Sequence, residues 1–251
     1  MTTYFAIKVE SLKCELRMRA KSDHLTSTRQ KTVSTAPKDK ERRVTVRMPA
    51  AERREQILKK AFEFFSEYGL TAQTRALADS CGISQRLLYS VFPNKSALIS
   101  AVYETGIAGV FKAVWFIQLR DRSKSMEQRL NDFYREYYDT VLTRNWMRLF
   151  LYASLAEVEM APTYIASIIK HLLDTVMDEA LHEAGLQRPT DHAEVQEICW
   201  ILHGAVSHLA IRRHIYRDQT ALGVEKVIAL QVKSFLAGLK SILPSETAGQ
   251  S

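Results

Sequence analysis

From Pro49 onward, apolar residues return every three or four positions rather than every second one, which is the spacing of a helix face and not of a strand. Ile57, Leu58, Ala61, Phe62, Phe65 and Tyr68 form one such face; Pro49 suits the first helical position and Gly69 the residue that ends the helix. A second helix is predicted from about Thr74, read as its N-cap, through Leu77 and Ala78 to Cys81, where Gly82 interrupts it. Ser84 can cap a third helix, Gln85 to Phe92, which Pro93 stops. Asn94 or a neighbour then opens a fourth, carrying Leu98, Val102 and Tyr103. A linking helix to about Phe116 follows, then a polar loop at 118–125. The next helices carry Leu130 to Val141 and Trp146 to about Glu157, with a break expected at Ala161 and Pro162. A long helix then bears Ile165, Ile169, Leu172 and Val176, and the last two span roughly 191–217 and 223–243. The fold class is all-α.

The run CGISQRLLYSVFPNKSAL, from Cys81 to Leu98, carries the most specific chemistry. Two short helices joined by a tight turn must cross closely, and crossing dictates residue types at set offsets. Ala78 supplies the small residue at the crossing, and Gly82 tolerates positive φ in the turn. Leu77, Cys81, Ile83, Leu88 and Val91 are the apolar positions that face inward. This is a helix-turn-helix pattern, whose second helix enters the major groove of DNA. Gln85 and Arg86 at its start then point at base edges, Arg pairing with guanine and Gln with adenine. Ser84, Tyr89 and Lys95 suit phosphates. An ordinary helical hairpin with solvated Gln, Arg and Lys is the plainer reading of the same run.

The stretches ILKKAFEFFSEYGL and TRALADSCGISQRLLYSVFPNKSAL resemble the DNA-binding domain of the tetracycline-repressor (TetR) family of bacterial transcriptional regulators, over roughly Arg53 to Leu98. The resemblance implies backbone contacts from Thr74, Ser84, Tyr89 and Lys95, and base contacts from Arg75, Gln85 and Arg86. It also implies an N-terminal three-helix helix-turn-helix domain (49–98) followed by a larger helical effector-binding and dimerisation domain (99–243), on a double-stranded DNA operator. Three features depart from common family usage: a connection from Gly69 to Ala78 one residue short, Arg86 in place of glycine, and Val91 in place of histidine.

The last two predicted helices are apolar over more than half their circumference. Val195, Ile198, Leu202, Val206 and Leu209 form one stripe with Ile201, Ala205 and Ile211 beside it; Val224, Ile228, Val232, Phe235, Leu239 and Ile242 form another. So wide a band needs partners on two sides. A homodimer built as a four-helix interface and burial within one monomer both satisfy it. Between the two ends, Trp115, Phe133, Tyr137, Trp146, Tyr152, His171, Trp200 and His203 are the candidate contacts for a small-molecule effector, since aromatic walls with a few polar tips make such pockets. Filling the core is the alternative for each. The spacing of His203 from His208, and of Glu157 from Glu159, gives no metal site, and no cofactor is implied.

Charge changes the picture at one end only. Residues 1–47 hold twelve Lys/Arg against five Asp/Glu, the whole of the net +7, while the chain from Met48 balances at 23 against 23. The polar stretch 21–47 cannot bury enough surface to offset its ordering entropy, so 1–48 reads as a basic, disordered extension, as does the tail 244–251. The extension either tracks phosphates beside the reading domain or is a leader upstream of the true start near Met48. Cys14, Cys81 and Cys199 show no disulfide or metal spacing, which suggests a reducing cytoplasm. No apolar run is long enough for a membrane span. An enzyme finds no nucleophile–base pair, phosphate loop or metal cluster to rest on, and a helical interaction module would have no use for Gln85, Arg86, Tyr89 and Lys95.

Overall fold

The computed structural model describes residues 48–156, 160–218 and 222–243. The basic extension up to residue 47, with Cys14, the carboxylates of Glu157 and Glu159, and the tail 244–251 lie outside the described residues. Helix α1 (Ala50–Tyr68) buries Ile57, Leu58, Ala61 and Phe65 along one stripe. Pro49 is its N-cap rather than its first residue, one position off the expectation. Gly69, at φ +78°, turns the chain out of α1 in a region that side-chain-bearing residues avoid. Two short helices follow, α2 (Thr74–Ser80) and α3 (Gln85–Val91), and then α4 (Lys95–Val102), whose first turn is closed by the Asn94 side chain accepting from the amide of Ala97 at 2.8 Å.

The linking helix expected to reach Phe116 does not run through. After α4 the chain widens into a π-helical stretch, Tyr103–Ala108, turns, and restarts as α5 (Val114–Leu119). Two glycines account for the packing there. Gly106 lies under the Phe62 ring, where a β-carbon would sit 2.6 Å from the ring, and one on Gly109 would meet the Glu104 carbonyl at 2.5 Å. Close approach of α1 to this stretch therefore requires glycine at 106, while Gly109 relieves crowding within the stretch itself.

Helix α6 (Met126–Thr140) opens on a capping box between Ser125 and Gln128, and α7 (Arg144–Leu155) on the Thr143 hydroxyl. The break expected at Ala161 and Pro162 is not where the sequence pattern put it: both lie inside α8 (Met160–Tyr164). Pro162 falls in the first turn, where its missing N–H has no partner within the helix to lose. A second π-helical stretch, Ile165–Ile169, leads into α9 (Lys170–Ala184), and α10 (His192–His214) and α11 (Val224–Ile242) complete the chain. In the body, α9 packs on α10, α10 on α11, and α11 on α6; α1 lies along α7 and joins α2 and α4 to that body.

Among the described residues two charged groups, Arg129 and Glu179, are buried in the body. Arg129 of α6 donates to the Leu119 carbonyl (2.6 Å), Glu179 (2.9 Å) and Glu183 (3.0 Å), and Arg122 adds a two-pronged contact to Glu179 (2.9 and 3.1 Å). Hydrogen bonding from Arg122, then from Arg129, holds the Glu179 carboxyl below the usual carboxylate range against the opposing cost of burial. Among the described residues no helix is long and apolar enough to cross a membrane.

Candidate nucleic-acid interface

The crossing of α2 and α3 is dry. Leu77 and Ala78 are fully buried, with Leu88 and Phe92 almost so, and the Ile83 amide donates back to the Ala78 carbonyl at 3.0 Å to close the turn. Gly82 sits at φ +67°, with nothing within 4 Å of where a β-carbon would stand, so backbone conformation and not crowding requires glycine there. The Ser84 hydroxyl accepts from the Leu87 amide at 3.1 Å, which caps α3 and contributes about 1 kcal/mol. Cys81, Ile83 and Val91 are only half-buried, at the edge of the crossing. Arg54 of α1 lies over the Phe92 ring at 5.0 Å, a brace with no sequence signal because its partners are distant in the chain.

Arg75, Ser84, Gln85, Arg86 and Tyr89 share exposure on this face. Thr74 does not: it is buried, and Gln73, not Thr74, is the N-cap of α2. The reason lies across the crossing. The Thr74 hydroxyl shares a 2.8 Å hydrogen bond with the Tyr89 hydroxyl and accepts from the Gln85 side-chain amide at 3.3 Å. Three of the residues expected at DNA are thereby joined, and the Gln85 side chain is tethered across the crossing. Lys95 is half-buried and donates to the Ala72 carbonyl at 2.8 Å, so it ties α4 to the turn before α2.

Replacing Thr74 with valine keeps the volume and removes this junction. It should weaken discrimination at the base opposite Gln85 by about 1 kcal/mol, roughly fivefold, with the fold intact. Fluorescence anisotropy on matched and base-substituted duplexes measures it; equal discrimination in both proteins would leave Thr74 without a positioning role.

The eight aromatic and histidine candidates do not form one pocket. Trp115, Phe133, Tyr137 and His203 share a tightly packed, buried cluster, with ring centroids 5.4–5.9 Å apart for the contacts among them. The Trp115 indole N–H donates to Glu136 at 2.8 Å, and burial pushes the His203 imidazole down to about 4, keeping it neutral. Trp200 is half-buried and meets the His203 ring edge-on at 5.2 Å. His171 is exposed and leans on Phe116 at 4.5 Å. Tyr152 stands away from the cluster, 3.7 Å from the position of a β-carbon on Gly69. Only Trp146 borders one of the four described cavities, a groove of about 360 Å³ between α1 and the body. That groove has no signature in the residue pattern, since its walls come from three separate segments.

Residues 57–102 match the family model described as bacterial regulatory proteins, tetR family. No curated protein sequence matches the chain. Among solved structures, a TetR-like transcriptional regulator from Rhodococcus sp. RHA1 superposes with a TM-score of 0.60 at 20% identity, over 77% of this chain and 99% of that one. A tetR-family transcriptional regulator from Streptomyces coelicolor gives 0.56 at 18% identity, over 77% and 83%. SmeT, the repressor of the Stenotrophomonas maltophilia multidrug efflux pump SmeDEF, gives 0.56 at 15% identity, over 77% and 91%. At these identities the likeness is one of fold.

Proposed function

We propose that this chain, which over residues 57–102 matches the tetR family of bacterial regulatory proteins, is a homodimeric repressor of that family that binds a palindromic operator and releases it on binding a small-molecule effector. The observation that carries the reading is the exposed face of α3, where Gln85 and Arg86 are presented while Leu88 anchors the helix beneath them. In this reading Gln85 and Arg86 meet base edges, with Arg75 reaching a base beside them. Ser84 and Tyr89 meet phosphates, and Thr74 and Lys95 act from behind as supports. The domain limits follow the same division: a reading head over 49–98, an effector and dimer domain over 99–243, and flanking segments 1–48 and 244–251 outside both. A cytoplasmic location goes with this role.

Dimerisation is supported by what α10 and α11 leave uncovered. Val195, Leu202, Val206 and Leu209 are turned into the body, as are Ile228, Val232 and Leu239. Ile201 and Leu230 remain 57% and 53% exposed, on either side of a groove of about 270 Å³ that Ala205 and Val227 also line. A second copy related by a twofold axis would cover this strip and set two α3 helices about one turn of DNA apart. The double substitution Ile201→Glu/Leu230→Glu should therefore give a folded monomer in analytical ultracentrifugation, with operator affinity reduced at least about 100-fold as the half-sites bind separately. A dimer that survives both charges would remove this face from the interface.

The test of the whole reading is selection of a duplex from a random pool, followed by anisotropy titration at several salt concentrations. A palindromic consensus with affinity falling steeply with salt is the expected result. Failure to enrich any sequence would sink it.

A further inference from the structure

The groove between the reading head and the body has the walls of a ligand site and the position of a wedge. Leu58 and Phe62 of α1 form one wall, and Thr140, Thr143 and Trp146 of the body the other, with Val110 at the side. Trp146 is itself fixed: it is buried, its indole N–H points to the Ile107 carbonyl at 3.4 Å, and its ring stacks on Phe150 at 4.7 Å. The threonines supply the polar tips. The Thr143 hydroxyl accepts from the Trp146 amide, so its own hydrogen is left to donate; the Thr105 hydroxyl donates to the Ala101 carbonyl, so its lone pairs are left to accept. Glu55 and Lys59 stand at the rim with opposite charges that cancel. A volume near 360 Å³ is at the low end for small-molecule sites and too small for a protein segment.

The opposite side of the same junction is pinned. Arg148 donates to the carbonyls of Ser66 (2.6 Å) and Glu67 (2.9 Å), and Arg144 pairs with Glu67 at 3.1 Å. These contacts hold the carboxyl-terminal end of α1, whereas the groove opens along its earlier turns. Tilting α1 about the pinned end would change the width of the groove and carry α2 and α3 with it, since α2 packs on α1 and α3 on α2.

We propose that this head–body groove is a regulatory site for a compact, uncharged molecule with a flat apolar body and one hydroxyl-like group, which Thr143 and Thr105 bind and whose presence opposes the operator-bound tilt of α1. The inference rests on the ligand-responsive reading above and moves the effector from the aromatic core to the junction.

The probe is 4-bromobenzyl alcohol, which has the required shape and whose bromine quenches nearby tryptophan. Saturable quenching of fluorescence is expected in the full chain at up to millimolar concentration, lost in Trp146→Phe and weakened in Val110→Phe, which fills the groove. If Val110→Phe disturbs the helical circular dichroism spectrum, Thr140→Leu narrows the groove from the other wall and should act alike. Saturating probe should weaken binding to a duplex selected by the protein by about tenfold, and the duplex should weaken probe binding by the same factor. Quenching that persists in Trp146→Phe, or no quenching at all, overturns the site. Unchanged or raised DNA affinity overturns the wedge. Each of these leaves the regulator reading standing, whereas failure to select any duplex brings down that reading itself while the quenching still reports on the groove.

Discussion

Replacing Gln85 and Arg86 together by alanine is expected to remove about 2–6 kcal/mol of operator discrimination per half-site, since each side chain bonded through two hydrogen bonds contributes about 1–3 kcal/mol. Both stand exposed at the start of α3, and neither is needed for packing, so the double variant should fold with its melting temperature nearly unchanged. Affinity for an unrelated duplex should persist, because phosphate contacts dominate non-specific binding, with the salt slope reduced by about one for the lost Arg86 charge. The two effects separate reading from holding. Anisotropy on the selected operator and on a scrambled duplex, at fixed salt, gives both. Undiminished preference for the operator would show that other residues read the sequence.

The second large effect is on stability. Arg129→Ala should lower the unfolding free energy by about 3–5 kcal/mol, because it strands Glu179 in the body with only the exposed Arg122 as partner. It also frees the Leu119 carbonyl and Glu183, whose carboxylate holds the Met126 amide at the start of α6. Arg129→Met/Glu179→Leu removes both charges and should recover much of the loss, since a packed apolar pair avoids the desolvation cost. Urea unfolding of the three proteins measures this, and a loss under about 1 kcal/mol for Arg129→Ala would mean that water reaches the site. The cluster also predicts acid lability. The folded Glu179 carboxyl takes up a proton less readily than the unfolded one. Its contribution is thus complete above the unfolded value, about 4.3, and is lost as pH falls through the lower folded one.

Ser84 and Asn94 are legible as helix starts because capping is local: a hydroxyl or amide reaches an amide three residues on. Ala78 and Gly82 were legible because the crossing of two adjacent short helices leaves few choices of residue. Thr74 was misplaced by one position, since its hydroxyl has two partners across the turn that outcompete capping. Pro162 was read as a break, yet a proline in a first turn costs a helix little. The π-helical stretches at Tyr103–Ala108 and Ile165–Ile169 left no trace in the periodicity, because one extra residue per turn answers to neighbouring helices and not to propensity.

The sequence by itself determined the all-α class, the helix-turn-helix, and the placement of Gln85 and Arg86 at the exposed start of its second helix. These follow from spacings within a few turns of chain, where sterics and hydrogen bonding act between near neighbours. Only the tertiary structure decided that Thr74 supports Gln85, that most of the aromatic candidates are packed or dispersed, and that a groove bordered by Trp146 lies under α1. Each of those depends on contacts between residues far apart in the chain, whose side chains choose partners only once the helices have docked.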